Sequence, residues 1–229
     1  MSILNEVNLI RSLDPKTPEE MESLILQCGL NNEILEEQPP ELREYFGKGL
    51  KMWQYPSQLS SFASFLRNMK VKTYMEIGVR HGGTFIFINE LLRKSNPELA
   101  SCACDISEKP ENIAEYQTLC KDGQVAYFEG SSRSPGFKHF AQNNFKPELV
   151  FIDGDHSYGG VKSDIDTFIN LKSTKALILH DIVSDACPGV VKAWNELVNN
   201  DKFTCISFVS QYESVKGNFL GIGLAIKRA

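Results

Sequence analysis

In the stretch Val150–Ile165, VFIDGDHSYGGVKSDI, an apolar run stops abruptly at Asp153 and is followed by Asp155, His156 and Tyr158. Two carboxylates and an imidazole at one strand end are a poor way to make a turn. They are well suited to holding a cation and moving a proton: oxygen ligands bind Mg²⁺, and histidine titrates near neutral pH. A second stretch, KALILHDI, ends in the same manner on His180 and Asp181. A third, TYMEIGVRHGGTF, ends in glycines. Gly78 permits a sharp turn, and Gly82 and Gly83 permit a ligand to approach the backbone where the next helix offers free N–H groups.

The acids near that turn narrow the ligand. Asp105 closes ASCACDI, 23 residues after Gly82, where a carboxylate can accept hydrogen bonds from both hydroxyls of a ribose. Glu76 stands just before the turn. It would repel a pyrophosphate but suits a positive amino group. The spacing G-x-x-x-G-G also departs from the dinucleotide pattern G-x-G-x-x-G. EGSS, which includes Ser131, sets small polar residues at the rim of the same pocket. A nucleoside with a cationic tail and no phosphate describes S-adenosylmethionine.

The elements that must position these residues alternate. Five strands ending at TYMEIG, ASCACDI, VAYFEG, PELVFIDGD and KALILHDI are each followed by a helical segment. That order predicts a parallel sheet covered on both faces. FTCISFVS and NFLGIGLAIK follow with no helix between them and predict an antiparallel ending. Residues 1–70 read as a helical extension and 71–229 as the catalytic domain. Within the extension, TPEEMESLILQC opens on Thr17 as N-cap, Pro18 at the first helical position and Glu20 three after the cap. PSQLSSFASFLRNM carries an apolar stripe at helical spacing, and GKGLKMWQYP reads as a covering loop.

Composition removes other classes. The chain has 229 residues and a net charge of −5, with no Lys/Arg cluster, so a nucleic-acid partner is not expected. No apolar run approaches the length of a membrane span, and the first residues lack a signal-peptide layout. A cytoplasmic protein is expected. The six cysteines show no CxxC or Cys/His zinc spacing and read as reduced, buried thiols.

Taken together, EIGVRHGGT, CDI and the final pair of strands resemble class I S-adenosylmethionine-dependent methyltransferases. FIDGDHSYGGVKSDI with LILHDI narrows the resemblance to the branch with macrocin-type and rhamnosyl O-methyltransferases and cephalosporin hydroxylase-like proteins. It covers about residues 50–229. It implies an α/β, Rossmann-like, doubly wound sheet of seven strands, mostly parallel with an antiparallel last strand. It implies methyl transfer to a hydroxyl of a sugar-like or secondary-metabolite acceptor, commonly with Mg²⁺, in an expected homo-oligomer. The cofactor would meet Glu76, Gly78, Arg80, Gly82, Gly83, Asp105, Ser131 and Asp153. Asp153 and Asp181 would be metal ligands. Catechol-type relatives commonly place Asn after the second Asp, and here Ile182 stands there. His180 is the substitute third ligand and Asp155 the other candidate. His156, three after Asp153, would be the general base where such relatives carry a lysine.

Other readings compete. Asp155 and His156 can simply cap the helix that begins near Tyr158. His81 and His139 read as surface histidines, Trp53, Tyr55 and Tyr158 as packing residues, and Asp164 and Asp166 as part of a solvated helix face. A metal-dependent hydrolase would use the Asp/His cluster but leave the glycine turn and Asp105 unexplained. A non-catalytic adenosylmethionine-binding module would keep the cofactor pocket alone.

Overall fold

The computed structural model describes residues 2–33 and 38–228. Its centre is β1 (Thr73–Ile77), where four successive residues are buried. Such a strand must be covered on both faces, and the topology provides this. β2 (Ala100–Asp105), β3 (Val125–Glu129), β4 (Leu149–Ile152) and β5 (Ala176–His180) complete a parallel set, with β6 (Phe203–Phe208) and β7 (Ile222–Lys227) beyond. The seven strands lie in the order β3-β2-β1-β4-β5-β7-β6. β7 is antiparallel to both β5 and β6, so it alone runs against the rest. The chain winds outward from β1 through β2 to β3 and returns to β4. The order therefore reverses between β1 and β4, the place where open α/β sheets bind ligands.

Register decides which side chains meet there. Ile77 pairs with Cys104 on one side and Ile152 on the other, and Ile152 pairs with Leu179. The next residue on each strand is Asp105, Gly78, Asp153 and His180. These four therefore form one row across the carboxyl edge of the sheet.

Helices cover the two faces. α1 (Leu4–Ser12), α2 (Pro18–Cys28) and α3 (Pro56–Leu66) join α4 (Gly83–Ser95) and α5 (Glu111–Thr118) on one side. Val7, Ile10, Met21, Ile25 and Phe62 share a core there with Phe85, Phe87, Leu91 and Phe151. α6 (Pro135–His139), a π-helical turn over Phe140–Phe145, α7 (Tyr158–Ile169) and α8 (Pro188–Val198) cover the other side. Phe137, Ile165, Phe168, Trp194 and Leu197 fill that core with Cys102 and Cys104. A 3₁₀ turn, Pro40–Tyr45, precedes the loop that leads into α3.

Local signals account for the helix starts. Thr17 Oγ1 accepts from Glu20 N at 3.2 Å, and Pro18 opens α2. The Glu20 carboxylate reaches back to Lys16 N at 2.6 Å rather than to Thr17 N, so the capping box is shifted by one residue. On α7 the expected solvated acidic face is corrected. Asp166 is exposed and pairs with Lys162 at 3.1 Å. Asp164 is buried in the sheet-facing stripe with Val161, Ile165 and Phe168. Its spacing of three from Val161 and four from Phe168 puts it on that face, and burial raises its carboxyl to about 6.

Candidate active site

The row of strand ends opens into a cleft of about 520 Å³, within the roughly 300–1,000 Å³ typical of small-molecule sites. Glu76, Gly78, Arg80, Gly83, Asp105, Ser131, Asp153 and His156 all line it. Asp105 is fixed by the backbone: Oδ2 accepts from Val79 N at 2.9 Å and Arg80 N at 3.1 Å, and Oδ1 from Ser107 N at 3.0 Å. Glu76 lies at the base of the cleft with Tyr74 Oη donating to its Oε2. Burial raises its carboxyl to about 8, with Asp153 adding to the rise and Tyr74 opposing it.

The glycines also make room for the chain itself. Gly78 has φ +82°, and a Cβ there would stand 2.1 Å from the Asp153 carbonyl oxygen. Gly78 thus permits the ends of β1 and β4 to cross closely. Gly82, also at φ +82°, does not line the cleft, and a Cβ on it would meet the Ile113 side chain at 2.5 Å. At Gly83 the clash would be with Leu50 O at 2.2 Å. The close approach at all three is by the chain itself.

Three cleft residues lacked a strong sequence signal. Ile106 follows Asp105 and is 79% exposed, an apolar side chain at the mouth of the cleft. Trp53, read as packing, carries the Arg80 guanidinium at 4.1 Å from its ring centroid, and Arg80 also pairs with Glu33. Gln54 donates from Nε2 to Asp153 Oδ2 at 2.7 Å and accepts from Thr84 Oγ1. Only the WQYP motif hinted at a wall here. The contacts join residues far apart in sequence, which no spacing reveals. Tyr55 is buried, as expected of packing, and Tyr158 carries Lys192 against its ring. His139 is exposed, whereas His81 is half-buried at the cleft.

Beside the cleft, β4 and β5 bring the acids and histidines together. His180 Nδ1 is 3.2 Å from Asp153 Oδ1 and 3.6 Å from Asp181 Oδ2. His156 Nε2 is 3.4 Å from Asp153 Oδ1, and its Nδ1 is 3.5 Å from Asp181 Oδ2. Asp181 sits at φ 62°, a left-handed turn directly after β5, which an aspartate tolerates better than most residues. His180 and Asp181 are buried, whereas the His156 side chain is 43% exposed.

This set fits a divalent cation. Asp153, His180 and Asp181 each offer a donor within 4.8 Å of the others. Asp181 Oδ1 and His180 Nε2 are buried and find no hydrogen-bond partner among the described residues. Such orphaned atoms are costly unless an ion or solvent meets them. Between the two candidates for third donor, geometry favours His180. Asp155 accepts from Ser157 N at 3.0 Å and faces Arg133 at 3.4 Å, away from the cluster. The helix-cap reading also fails for His156, because Ser157 caps α7 by accepting from Gly160 N at 3.1 Å.

Charge follows from the geometry. Burial pushes the Asp153 carboxyl up, but His180 and His156 beside it hold it below the usual range. Burial pushes His180 down, and Asp153 and Asp181 together outweigh it and raise the imidazole. The contact with Asp153 raises His156.

Comparison with known proteins agrees in fold and family. A family profile described as rhamnosyl O-methyltransferase/CmcI matches residues 43–215. The O-methyltransferase TomG from Streptomyces achromogenes, solved in complex with SAM, superposes with a TM-score of 0.61 at 13% identity, over 79% of this chain and 84% of that one. An O-methyltransferase from Bacillus cereus in complex with SAH gives 0.55 at 12% identity, over 94% and 92%. The SAH-bound Podospora anserina methyltransferase PaMTH1 gives 0.55 at 13% identity, over 94% and 89%. No match was found among curated protein sequences.

Proposed function

The chain belongs to the rhamnosyl O-methyltransferase/CmcI family, and from that premise we propose that it methylates a hydroxyl of a sugar-like or secondary-metabolite acceptor with divalent-metal assistance. The family's description names O-methyl transfer, and the solved O-methyltransferases that share the fold carry SAM or SAH. One observation carries the rest: register sets Asp105, Gly78, Asp153 and His180 in one row. Asp105 therefore faces the same cleft as Asp153 and His156, with His180 and Asp181 beside it, next to Asp153.

S-Adenosylmethionine bound there supplies an electrophilic methyl group on a sulfonium. Asp105 would accept its ribose hydroxyls, and Glu76 would face its amino group. Gly78, Arg80, Gly83 and Ser131 would line the rest of the pocket. Ile106 offers the apolar surface that an adenine needs. Asp153, Asp181 and His180 would hold a divalent cation, which would supply Lewis acidity toward the acceptor hydroxyl and offset the two carboxylates. His156 removes the hydroxyl proton and passes it to solvent along its exposed edge. The protein's remaining contribution is to position the groups and exclude water.

Calorimetric titration with S-adenosylmethionine tests this assignment. Asp105→Ala should lose about 1–3 kcal/mol of affinity, the worth of a charged hydrogen-bond acceptor. Chelation by EDTA should abolish turnover and leave cofactor binding largely intact. Unchanged affinity in a folded Asp105→Ala would refute the cofactor placement, and full activity in chelator would remove the metal.

A further inference from the structure

Cys187 stands at the start of α8, where the loop from β5 returns past Asp181. Its Sγ lies 3.4 Å from Asp181 Oδ2 and 3.5 Å from His156 Nδ1, and those two atoms are 3.5 Å apart. Sulfur, nitrogen and oxygen thus mark a nearly equilateral triangle. Tetrahedral zinc makes bonds of about 2.3 Å to S, 2.0–2.1 Å to N and 2.0–2.2 Å to O, so three of its ligands stand about 3.4–3.6 Å apart. The observed triangle has the edge lengths of one face of that tetrahedron.

We propose that His156 Nδ1, Asp181 Oδ2 and Cys187 Sγ form a second cation site, selective for Zn²⁺ or an ion of similar softness. A second observation points the same way. Asp181 is buried, so the oxygen it presents to the triangle is fixed by the fold rather than free in solvent. The exposed side of His156 leaves the fourth position open to solvent. A thiol ligand separates this site from the one described above. Carboxylates and water suit Mg²⁺, whereas a thiolate with an imidazole suits zinc. On binding, the thiol gives its proton to solvent as the sulfur–metal bond forms.

The site itself goes beyond methyl transfer. Its effect on turnover rests on the function proposed above: an ion here occupies Nδ1 of His156 and shares Asp181. Zinc should therefore inhibit by immobilising the base.

Cobalt titration of the metal-free protein tests the proposal, because a thiolate ligand to Co²⁺ gives a charge-transfer band in the near ultraviolet. One equivalent should produce the band, Zn²⁺ should remove it, and excess Mg²⁺ should not. Cys187→Ser should lack the band and bind Zn²⁺ at least tenfold more weakly in competition with a chromophoric chelator. Serine is a good N-cap, and Cys187 holds that position on α8, so the variant should fold; circular dichroism and cofactor calorimetry check this. Cys120→Ser and Cys205→Ser, at the other partly exposed thiols, should keep the band. In assays with excess Mg²⁺, zinc should inhibit the wild type more strongly than Cys187→Ser. A cobalt spectrum without the thiolate band, or equal zinc affinity in Cys187→Ser, would overturn the site. Equal zinc inhibition of both proteins, with the band present, would instead overturn its link to the base.

Discussion

His156 stands between two carboxylates but above them, and that difference in depth fits it for proton transfer. Asp153 and Asp181 are inside, while the imidazole keeps an edge in solvent. The carboxylates raise its pKa, so in the cation-free protein it holds its proton more firmly than a free histidine. A cation held by the acids would offset that pull and ease release of the proton. His156→Ala should lower kcat by roughly 10²–10⁴, the usual worth of a positioned base, with cofactor affinity nearly unchanged. A near-normal kcat in steady-state assays would leave the histidine without a chemical role.

Glu76 gives a proton-linked outcome at the same scale. Its carboxyl is raised to about 8, mainly by burial, so at pH 7 the cofactor-free protein carries it protonated. A cationic amino group placed beside it favours the carboxylate. Binding should therefore release a proton below pH 8, and affinity should fall by up to about tenfold per unit as pH drops from there. Above pH 8 the group is already ionised and the dependence should flatten. Calorimetry in buffers of different ionisation enthalpy measures the proton directly. In Glu76→Gln both the release and the slope should disappear; their persistence would show that another group titrates. The acids of this site were legible because they stand at or beside the ends of apolar runs. Gln54, Thr84 and Cys187 were not, because their roles arise from contacts across the fold.

At the scale of elements, the five strand–helix repeats were readable from period and glycine punctuation, and the strands formed where their apolar runs predicted. Less legible was how the loop before α3 meets the start of α4. Asn31 N donates to Met52 O at 2.8 Å and Leu50 N to Cys28 O at 2.8 Å, which ties that loop to the end of α2. It then lies against Gly83, where there is no room for a Cβ. The GG pair reads in sequence as a ligand-binding turn, and its second glycine instead receives this loop. Gly83→Ala should cost about 1–3 kcal/mol, as overpacking usually does. The loop carries Trp53 and Gln54, so its displacement should also shift tryptophan emission and weaken cofactor binding. A thermal shift alone, with both readouts unchanged, would show that the cleft does not depend on the loop's position.

For the whole molecule, a boundary near residue 70 looked natural in sequence, since helices stop and strand–helix alternation begins. The packing argues for a different unit of stability. Ile3, Val7, Met21, Leu24 and Phe62 share one core with Phe85, Ile88, Phe151, Ile178 and Leu224. Arg11 binds Glu90 at 2.8 Å, and Tyr116 Oη donates to the same carboxylate at 2.6 Å. α1, α4 and α5 thus converge on a buried acid that would be left partly unpaired without the first helix, a costly state for a charge. Composition could not reveal this, because helical periodicity shows that a face is apolar but not what it packs against. Unfolding should therefore be one transition with an enthalpy of about 160 kcal/mol near 60 °C, from ~0.7 kcal/mol for each of the 229 residues. Scanning calorimetry checks this by comparing calorimetric and van't Hoff enthalpies, which should agree if the unit is single. A chain beginning at residue 71 should be insoluble or molten, because it would expose the α4 face of the sheet. Two resolved transitions, or a folded truncated chain that binds S-adenosylmethionine with full affinity, would restore the first 70 residues to the status of a separate cover.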